Sequence, residues 1–241
     1  MNKNQHYKNN SVEILNERKN EMRKYAEQLI QKGVSIADPE RIDFRGEFIF
    51  GENLSIDINV IFEGKVELGD NVSVGANCII TDSKVGAGSS IKPFSLVEGA
   101  LVGINTSIGP YGRIRPRTIL MDSVQIGNFV EVKSSTIKTG SRINHLSFIG
   151  DANLEENVTI GAGTITCNHD GDKTNHTFIG RDSFVGSGSN LIAPIKLGEN
   201  VTVGAGSTIN KDVTKGKLVI ARAKQIIIEN WKNLKKTKHG Y

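Results

Sequence analysis

Aliphatic residues recur at every sixth position along most of the chain, and each is followed by glycine or another small or polar residue. Leu68, Val74 and Ile80 show the spacing, and the turn-forming pair Asp70-Asn71 separates two of the repeats. This period is neither the alternation of an amphipathic strand nor the 3.6-residue period of a helix. It predicts a solenoid in which three six-residue strands make a coil of about 18 residues, with the aliphatic side chains stacked inside.

A helix is predicted before the repeat, between residues 11 and 32. Ser11 suits the N-cap, and Gly33 stands where a helix would end. One face of this helix is apolar. Its apolar residues are Leu15, Met22, Ala26, Leu29 and Ile30.

The repeat and the charge distribution divide the chain into three parts. We expect an N-terminal arm at residues 1–43, the solenoid at 44–213 and a basic tail at 214–241. The tail carries a net charge of +7, whereas the rest of the chain carries −3. A general surface for polyanions such as nucleic acids is therefore not predicted.

Two polar segments interrupt the six-residue period. One spans Glu131–Gly150, with an insertion at Lys138–Arg142, and the other is the run from Asn168 to His176. Because solenoids carry insertions on one face, which is often the binding face, we expect both segments to be loops near the functional site.

Composition narrows the class of protein. The 26 glycines are about 11% of the 241 residues, above the typical ~7%, but the five prolines and the lack of a three-residue period exclude collagen. Two cysteines, Cys78 and Cys167, are too few for a disulfide scaffold and favour a reducing compartment. No apolar run is long enough to cross a membrane, and the N-terminus does not look like a signal peptide. We therefore expect a cytoplasmic protein.

Four ordered motifs resemble one family. They are IGPYGRIRP at 108–116, GNFVEVK at 127–133, HLSFIGDA at 145–152 and IGAGTITCNHDG at 160–171. They resemble the acetyltransferase half of the bifunctional N-acetylglucosamine-1-phosphate uridyltransferase/glucosamine-1-phosphate acetyltransferase family, over about residues 11–225. The resemblance implies a left-handed parallel β-helix, a homotrimer with active sites between subunits, and acetyl-CoA as donor. The uridyltransferase domain of that family has no counterpart here, so a separate nucleotidyltransferase is a possible partner.

The resemblance also implies roles for particular residues. His145 corresponds to the catalytic base and Glu131 to the carboxylate that supports it. Arg115 and Lys133 correspond to the residues that hold the sugar phosphate, and Asn168 to one that contacts the sugar. The positions implied for acetyl-CoA are Ala162, Ser187, Ala205 and Arg222.

Several acceptor positions differ from the family pattern. Phe148 replaces a tyrosine, Thr159 an asparagine, His169 a tyrosine and Thr174 a lysine, although the adjacent Lys173 can substitute for that lysine. Each lost hydrogen bond to a charged group is worth about 1.5–3 kcal/mol. The donor is therefore better supported than the identity of the acceptor.

The expected chemistry is direct acetyl transfer without a metal. A histidine suits the base because its reference pKa of about 6.5 lies near working pH. The glycine-rich turn at 160–163 lets backbone N–H groups approach the thioester carbonyl closely. Cys167 is interpreted as a buried small hydrophobic residue, so no covalent intermediate on the enzyme is expected.

Four functions are compatible with these residues. The first is acetylation of glucosamine 1-phosphate, and the second is the same chemistry on another amino sugar or nucleotide sugar used in surface-polysaccharide synthesis. The third is a zinc lyase resembling the γ-class carbonic anhydrases, with His145, His169 and His176 as ligands. The fourth is a trimeric scaffold without catalytic activity.

Overall fold

A long helix begins the computed structural model, which describes residues 3–229 and 231. Helix α1 (Lys3–Gln31) starts earlier than the sequence indicated, and Ser11 lies inside it. The predicted N-cap is therefore wrong. None of the helices in the described part of the chain is both long enough and apolar enough to span a membrane.

The end of α1 is a Schellman turn. The N–H of Val34 donates to the carbonyl oxygen of Leu29 at 3.0 Å, and the N–H of Gly33 donates to that of Ile30 at 2.9 Å. Gly33 has a φ of +95°, where a residue with a Cβ atom would be strained. The prediction that the helix ends at Gly33 is confirmed, but the Ile30 side chain is exposed rather than part of the apolar face.

The second half of α1 covers the first coil of the solenoid. Ala26 and Leu29 are fully buried, and the ring of Tyr25 meets that of Phe44 edge to face with centroids 5.0 Å apart. Leu15, nearer the start of the helix, is 50% exposed. Only the last turns of the predicted apolar face therefore pack on the core.

In the described part of the chain, 28 strands form a three-sided solenoid, and all of them pair in parallel. The first face consists of β1 (Ser35–Ile36), β3 (Ser55–Ile56), β5 (Ser73–Val74), β8 (Ser90–Ile91), β11 (Ser107–Ile108), β14 (Gln125–Asn128), β17 (Arg142–His145), β20 (Thr159–Ile160), β23 (Phe184–Val185), β26 (Thr202–Val203) and β28 (Leu218–Val219). The second face consists of β2 (Ile42–Phe50), β4 (Val60–Leu68), β6 (Ile79–Thr81), β9 (Leu96–Glu98), β12 (Arg113–Ile114), β15 (Glu131–Lys133), β18 (Phe148–Gly150), β21 (Ile165–Cys167), β24 (Asn190–Ile192) and β27 (Thr208–Ile209). The third face continues from β2 and β4 through β7 (Lys84–Val85), β10 (Leu101–Val102), β13 (Ile119–Leu120), β16 (Thr136–Ile137), β19 (Ala152–Leu154), β22 (Thr177–Ile179) and β25 (Ile195–Leu197). The expected fold class, a parallel β-helix of six-residue repeats, is confirmed.

Most coils advance by 17 or 18 residues. One coil is longer, because Asn157 and Asp182 occupy stacked corners although they are 25 residues apart. The additional residues form the predicted loop at 168–176. The insertion predicted at 138–142 is wrong, because those residues belong to an ordinary coil of 17 residues.

Buried hydroxyl groups explain that error. Ser141 is fully buried, and its hydroxyl donates to the carbonyl oxygen of Glu155 at 2.8 Å and accepts from the N–H of Val158 at 3.1 Å. A polar residue thus occupies a core position because the solenoid backbone satisfies its hydrogen bonds. Other buried serines and threonines are Ser83, Ser89, Ser95, Thr106, Thr118, Ser135, Ser147, Thr164, Thr166, Thr177, Ser183, Ser189 and Ser207.

Strand pairing extends beyond both ends of the predicted 44–213 segment. It starts at β1 and reaches β28, whose residues pair with those of β26. Both strands continue the six-residue spacing, since Ile36 precedes Ile42 by six residues and Val219 follows Val213 by six, so the repeat is longer than the predicted segment. The basic residues from Lys232 onward lie outside the described residues.

Candidate functional site

The edge between the first and second faces carries the histidine expected to act as base. His145 is the last residue of β17, and Phe148 begins β18 on the next face. The His145 side chain is exposed, while its carbonyl oxygen accepts the N–H of Gly163 at 3.0 Å. The backbone of His145 is therefore held by the next coil and its ring is free to meet a ligand.

The residues expected to bind the donor stack along this same edge. The N–H of Gly188 donates to the carbonyl oxygen of Ala162 at 2.8 Å, and Arg222 Nη1 donates to that of Ala205 at 2.7 Å. We call this column the His145 corner. It consists of His145, Ala162, Ser187, Ala205 and Arg222.

Backbone donors line the His145 corner. Within the described residues, the N–H groups of Ala162, Ser187 and Ala205 donate no hydrogen bond. A Cβ atom on Gly161 would lie 2.5 Å from the Ser187 nitrogen, so only glycine allows these coils to pack so closely. The corner therefore offers several N–H groups to an electron-rich oxygen.

The partners of His145 and Glu131 differ from those expected. His145 Nδ1 is in contact with Asn128 Oδ1, the residue directly beside it on β14. Glu131 instead accepts from Arg115, with Nη1 and Oε1 2.8 Å apart. In the described part of one chain, Glu131 thus pairs with Arg115 and Asn128 takes the place expected for Glu131.

A charged cluster covers the outer surface of the second face. Lys133 Nζ lies 3.7 Å from Asp151 Oδ2, and the same oxygen accepts from Asn168 Nδ2 at 2.6 Å. Together with the Arg115–Glu131 pair, two cations and two carboxylates form two ion pairs along three successive coils. Asp151 was missed from the sequence, although it belongs to the quoted HLSFIGDA motif.

Phe148 lies between the charged cluster and the His145 corner. It stands directly beside Glu131 on the neighbouring strand. Its ring occupies the space over Gly150, where a Cβ atom would lie 2.6 Å from Phe148 Cζ and 2.8 Å from Asn168 Nδ2. The absence of a side chain at residue 150 therefore allows Phe148 and Asn168 to meet.

Thr159 is not brought into the charged cluster. It lies on β20 of the first face, where it pairs with Arg142 and Phe184. Arg115, Lys133 and Asn168 belong to the second face, so the corner separates Thr159 from them within one chain.

The loop at 168–176 is a small hairpin organised by Asp170. Its carboxylate accepts the N–H of Lys173 at 2.9 Å and Asn175 Nδ2 at 2.8 Å. These hydrogen bonds, with the one from Lys173 largest, hold the pKa of the Asp170 carboxyl well below its usual range. His169 and Lys173, two of the expected acceptor residues, are exposed on this loop, as is Thr174.

Thr166 rather than Cys167 points into the core of β21. Thr166 is fully buried, whereas Cys167 is half-buried on the outer side, so the interpretation of Cys167 as an inward residue is wrong. Desolvation raises the pKa of the Cys167 thiol. The protonated thiol is a weak nucleophile, consistent with transfer that does not pass through this cysteine.

The three histidines of the zinc alternative do not meet. Within the residues whose side chains are described, no group of three or more His, Cys, Asp or Glu residues is arranged to hold a metal ion. His145 contacts Asn128, and His169 Nδ1 accepts the N–H of Gly171 at 3.0 Å.

An exposed aromatic ladder continues the edge above His145. The rings of Phe94, Tyr111 and Phe129 stack nearly parallel, with centroids 5.0 and 4.9 Å apart. All three residues have positive φ, and the series ends at Leu146, which is 64% exposed. Bulky residues are costly in this conformation, so the ladder indicates an interaction surface rather than a packing solution.

Two family models match parts of the chain. Residues 44–146 match the model described as the GMPPB C-terminal domain, and residues 176–211 match the bacterial transferase hexapeptide model of six repeats. Both matches fall within the solenoid.

Curated relatives match nearly the whole chain. It is 49% identical over 228 residues to the bifunctional protein GlmU of Marinobacter nauticus. This alignment covers 95% of this chain and 50% of that protein. It is 52% identical over 207 residues to the GlmU of Nitrosospira multiformis, covering 86% and 45%. The chain thus spans about half the length of the curated relatives it matches, and the resemblance seen in the sequence is confirmed.

Among solved structures, the chain is similar to the UDP-N-acetylglucosamine acyltransferase from Campylobacter jejuni. The match covers 66% of this chain and 68% of that one, with 20% identity and a TM-score of 0.46.

Proposed function

We propose that this chain, a relative of the GlmU proteins over about half of their length, transfers an acetyl group from acetyl-CoA to the amino group of an amino-sugar phosphate. Glucosamine 1-phosphate is the first candidate acceptor, and N-acetylglucosamine 1-phosphate is then the product. Two free cysteines suit a reaction in the cytoplasm.

The observation that carries this proposal is the position of His145. It stands in one column with the unpaired N–H groups of Ala162 and Ser187, and the charged cluster begins on the next strand. A base, donors for an oxyanion and cations for a phosphate are thus assembled around one corner. Each chemical task of acetyl transfer has a candidate group there.

The transfer proceeds in one displacement. The amine nitrogen attacks the thioester carbon, and His145 Nε2 takes the proton that the amine loses. The Ala162 N–H donates to the thioester oxygen as it gains negative charge. The carbon–sulfur bond then breaks, and the proton held by His145 passes to the sulfur of CoA.

The charged cluster binds the acceptor in this proposal. Arg115 and Lys133 supply the positive charge that a phosphate needs, and Arg can bind two of its oxygens at once. Their charges are balanced by Glu131 and Asp151 within the chain. Binding therefore exchanges carboxylate partners for phosphate oxygens rather than exposing bare cations.

A different amino sugar or a nucleotide-linked amino sugar is the second candidate acceptor. Phe148 lies beside Glu131 and offers an apolar ring where the related family has a hydroxyl. Thr159 lies away from the charged cluster, on the other side of the corner. Both features concern the acceptor, so the two candidates share donor and base.

The proposed working form contains three copies of the chain. The aromatic ladder supports this proposal, because its rings stack on one another and present their edges as an apolar strip. Such a strip suits a protein surface better than the face of a sugar ring. Light scattering that gives the mass of a single chain would contradict the trimer.

A separate nucleotidyltransferase is the second partner that we propose.

The experiment is CoA release from acetyl-CoA and glucosamine 1-phosphate by the purified protein and by His145→Ala. We expect turnover that falls by about 10²–10⁴-fold in the variant while acetyl-CoA binding, measured by calorimetry, is retained. Equal rates in both proteins would contradict the role of His145. Binding of acetyl-CoA without turnover would favour the second acceptor class, which a panel of amino sugars and nucleotide-linked amino sugars would identify. The absence of both acetyl-CoA binding and turnover would favour a scaffold.

A further inference from the structure

Asn128 is placed beside His145 by the register of the solenoid. The last residue of β14 pairs with the last residue of β17, so the two side chains lie side by side on adjacent coils. The preceding residue is Gly127, where a Cβ atom would overlap the carbonyl oxygen of Asn144. Glycine at this point therefore lets the coils approach closely enough for Asn128 Oδ1 to contact His145 Nδ1.

The backbones of both residues are held independently of this contact. The N–H of Leu146 donates to the carbonyl oxygen of Asn128 at 3.1 Å, and the N–H of Gly163 donates to that of His145 at 3.0 Å. Asn128 is half-buried, whereas His145 is exposed. The asparagine is thus the fixed member of the pair and the imidazole ring is the one that it orients.

We infer that Asn128 is a positioning residue, whose Oδ1 accepts a hydrogen bond from the Nδ1–H of His145 and leaves Nε2 unprotonated for the acceptor amine. This inference rests on the proposed function of His145. A neutral imidazole carries its proton on one nitrogen only, so an acceptor at Nδ1 selects the tautomer that can act as a base at Nε2.

The chemistry of the amide matters as much as its position. Glu131 is engaged with Arg115, so the group at Nδ1 is a neutral carboxamide and not a carboxylate. An amide orients the ring without adding a negative charge that would stabilise the imidazolium. The proton taken from the amine is therefore more easily passed on to the departing thiolate.

The opposite orientation of the amide makes a different prediction. If the Asn128 NH₂ group faced His145, it would donate to Nδ1 and the proton would reside on Nε2. His145 would then be unable to accept a proton from the amine. The tautomer of His145 therefore decides the inference directly.

The test is nitrogen-15 NMR of the His145 ring in the full chain, at a pH where the ring is neutral. We expect the Nδ1–H tautomer in the wild type and a mixture of tautomers in Asn128→Ala. In the acetyl-transfer assay, Asn128→Ala should lower kcat by tenfold or more, about the value of one such hydrogen bond, with KM for acetyl-CoA within about twofold of the wild type. Asn153→Ala, at an exposed asparagine of β19, is the matched control and should change neither quantity.

Asn128→Asp keeps an acceptor at the same place. It should restore the Nδ1–H tautomer that Asn128→Ala loses, and it preserves the test if the alanine variant does not fold. An Nε2–H tautomer in the wild type, or unchanged tautomer and kcat in Asn128→Ala, would overturn the inference. Because the spectrum is read without turnover, a wild type that releases no CoA would count against the proposed function and not against the placement of the proton.

Discussion

The His145 corner and the charged cluster lie on neighbouring parts of the solenoid, but one is formed mainly by backbone groups and the other by side chains. The corner consists largely of backbone: its coils are joined by N–H to carbonyl bonds such as that from Gly188 to Ala162, at 2.8 Å. The charged cluster consists of long side chains that pair with one another, as Arg115 does with Glu131. The fold therefore determines the geometry of the His145 corner, whereas the side chains present determine that of the charged cluster.

Because of this difference, substitutions during evolution affect the two surfaces differently. Backbone donors stay in place under most substitutions, provided that the coils can still pack. The side chains of the charged cluster can be replaced without disturbing the strands that carry them. We therefore expect the donor to be the stable feature of this protein and the acceptor to be the adjustable one.

Among the changes that distinguish the two surfaces, the largest effect is expected from removing a cation of the charged cluster. Arg115→Ala should raise KM for a sugar-phosphate acceptor by about 10- to 100-fold, because a charge-assisted hydrogen bond is worth about 1.5–3 kcal/mol. The dissociation constant of acetyl-CoA should not change. Arg113→Ala is the control, since Arg113 is exposed on the same face two residues away. Equal losses in the two variants, or a weaker affinity for acetyl-CoA, would remove the distinction between the two surfaces.

A smaller effect is expected from a methyl group in the His145 corner. Gly161→Ala places a Cβ atom 2.5 Å from the Ser187 nitrogen and should destabilise the fold by about 1–3 kcal/mol. Calorimetry should show a lower Tm and weaker acetyl-CoA binding than in the wild type. Ser187→Ala removes an exposed hydroxyl at the same place and should leave both within experimental error. A strong effect of Ser187→Ala would mean that side chains, and not the backbone, form this surface.

The smallest effect is expected from the pH dependence of the loop at 168–176. Hydrogen bonds lower the pKa of Asp170, so its carboxylate stabilises the loop above the ordinary value of about 3.9, and this contribution is lost as pH falls through the lower, folded value. Hydrogen exchange of the Gly171–Lys173 amides should therefore become faster, relative to intrinsic rates, below about pH 4. Asp170→Asn keeps an acceptor oxygen without the titration and should remove this acid-dependent change. The same acid-dependent loss of protection in both proteins would show that titration of Asp170 does not control the loop.

The regular part of the fold could be predicted from the sequence because its signal is repeated many times. Inward residues such as Leu68, Val74 and Ile80 are all buried, as their six-residue spacing predicted. The loop at 168–176 was also predictable, since nine consecutive polar residues leave no aliphatic position to continue a coil. The polar run at 138–142 was wrongly predicted to be an insertion, because Ser141 is a core residue whose hydrogen-bond partners lie on another coil.

The candidate site was predicted less completely, since its contacts depend on register between coils. His145 meets Asn128, 17 residues earlier, only because that coil contains 17 residues. The pairing of Lys133 with Asp151 likewise depends on which residues neighbouring coils place side by side. The family resemblance identified the chemical groups, but partners within a stack follow from coil length, which the motifs do not specify.

The cover that α1 places over the first coil has a consequence for self-association. A parallel β-helix ends in open strand edges, and an open edge can recruit strands from another molecule into a growing fibre. Tyr25, Ala26 and Leu29 close the edge that begins with Phe44. At the opposite end Leu218 of β28 is 66% exposed, and stacking through this end alone, as the described residues form it, would pair two molecules and stop.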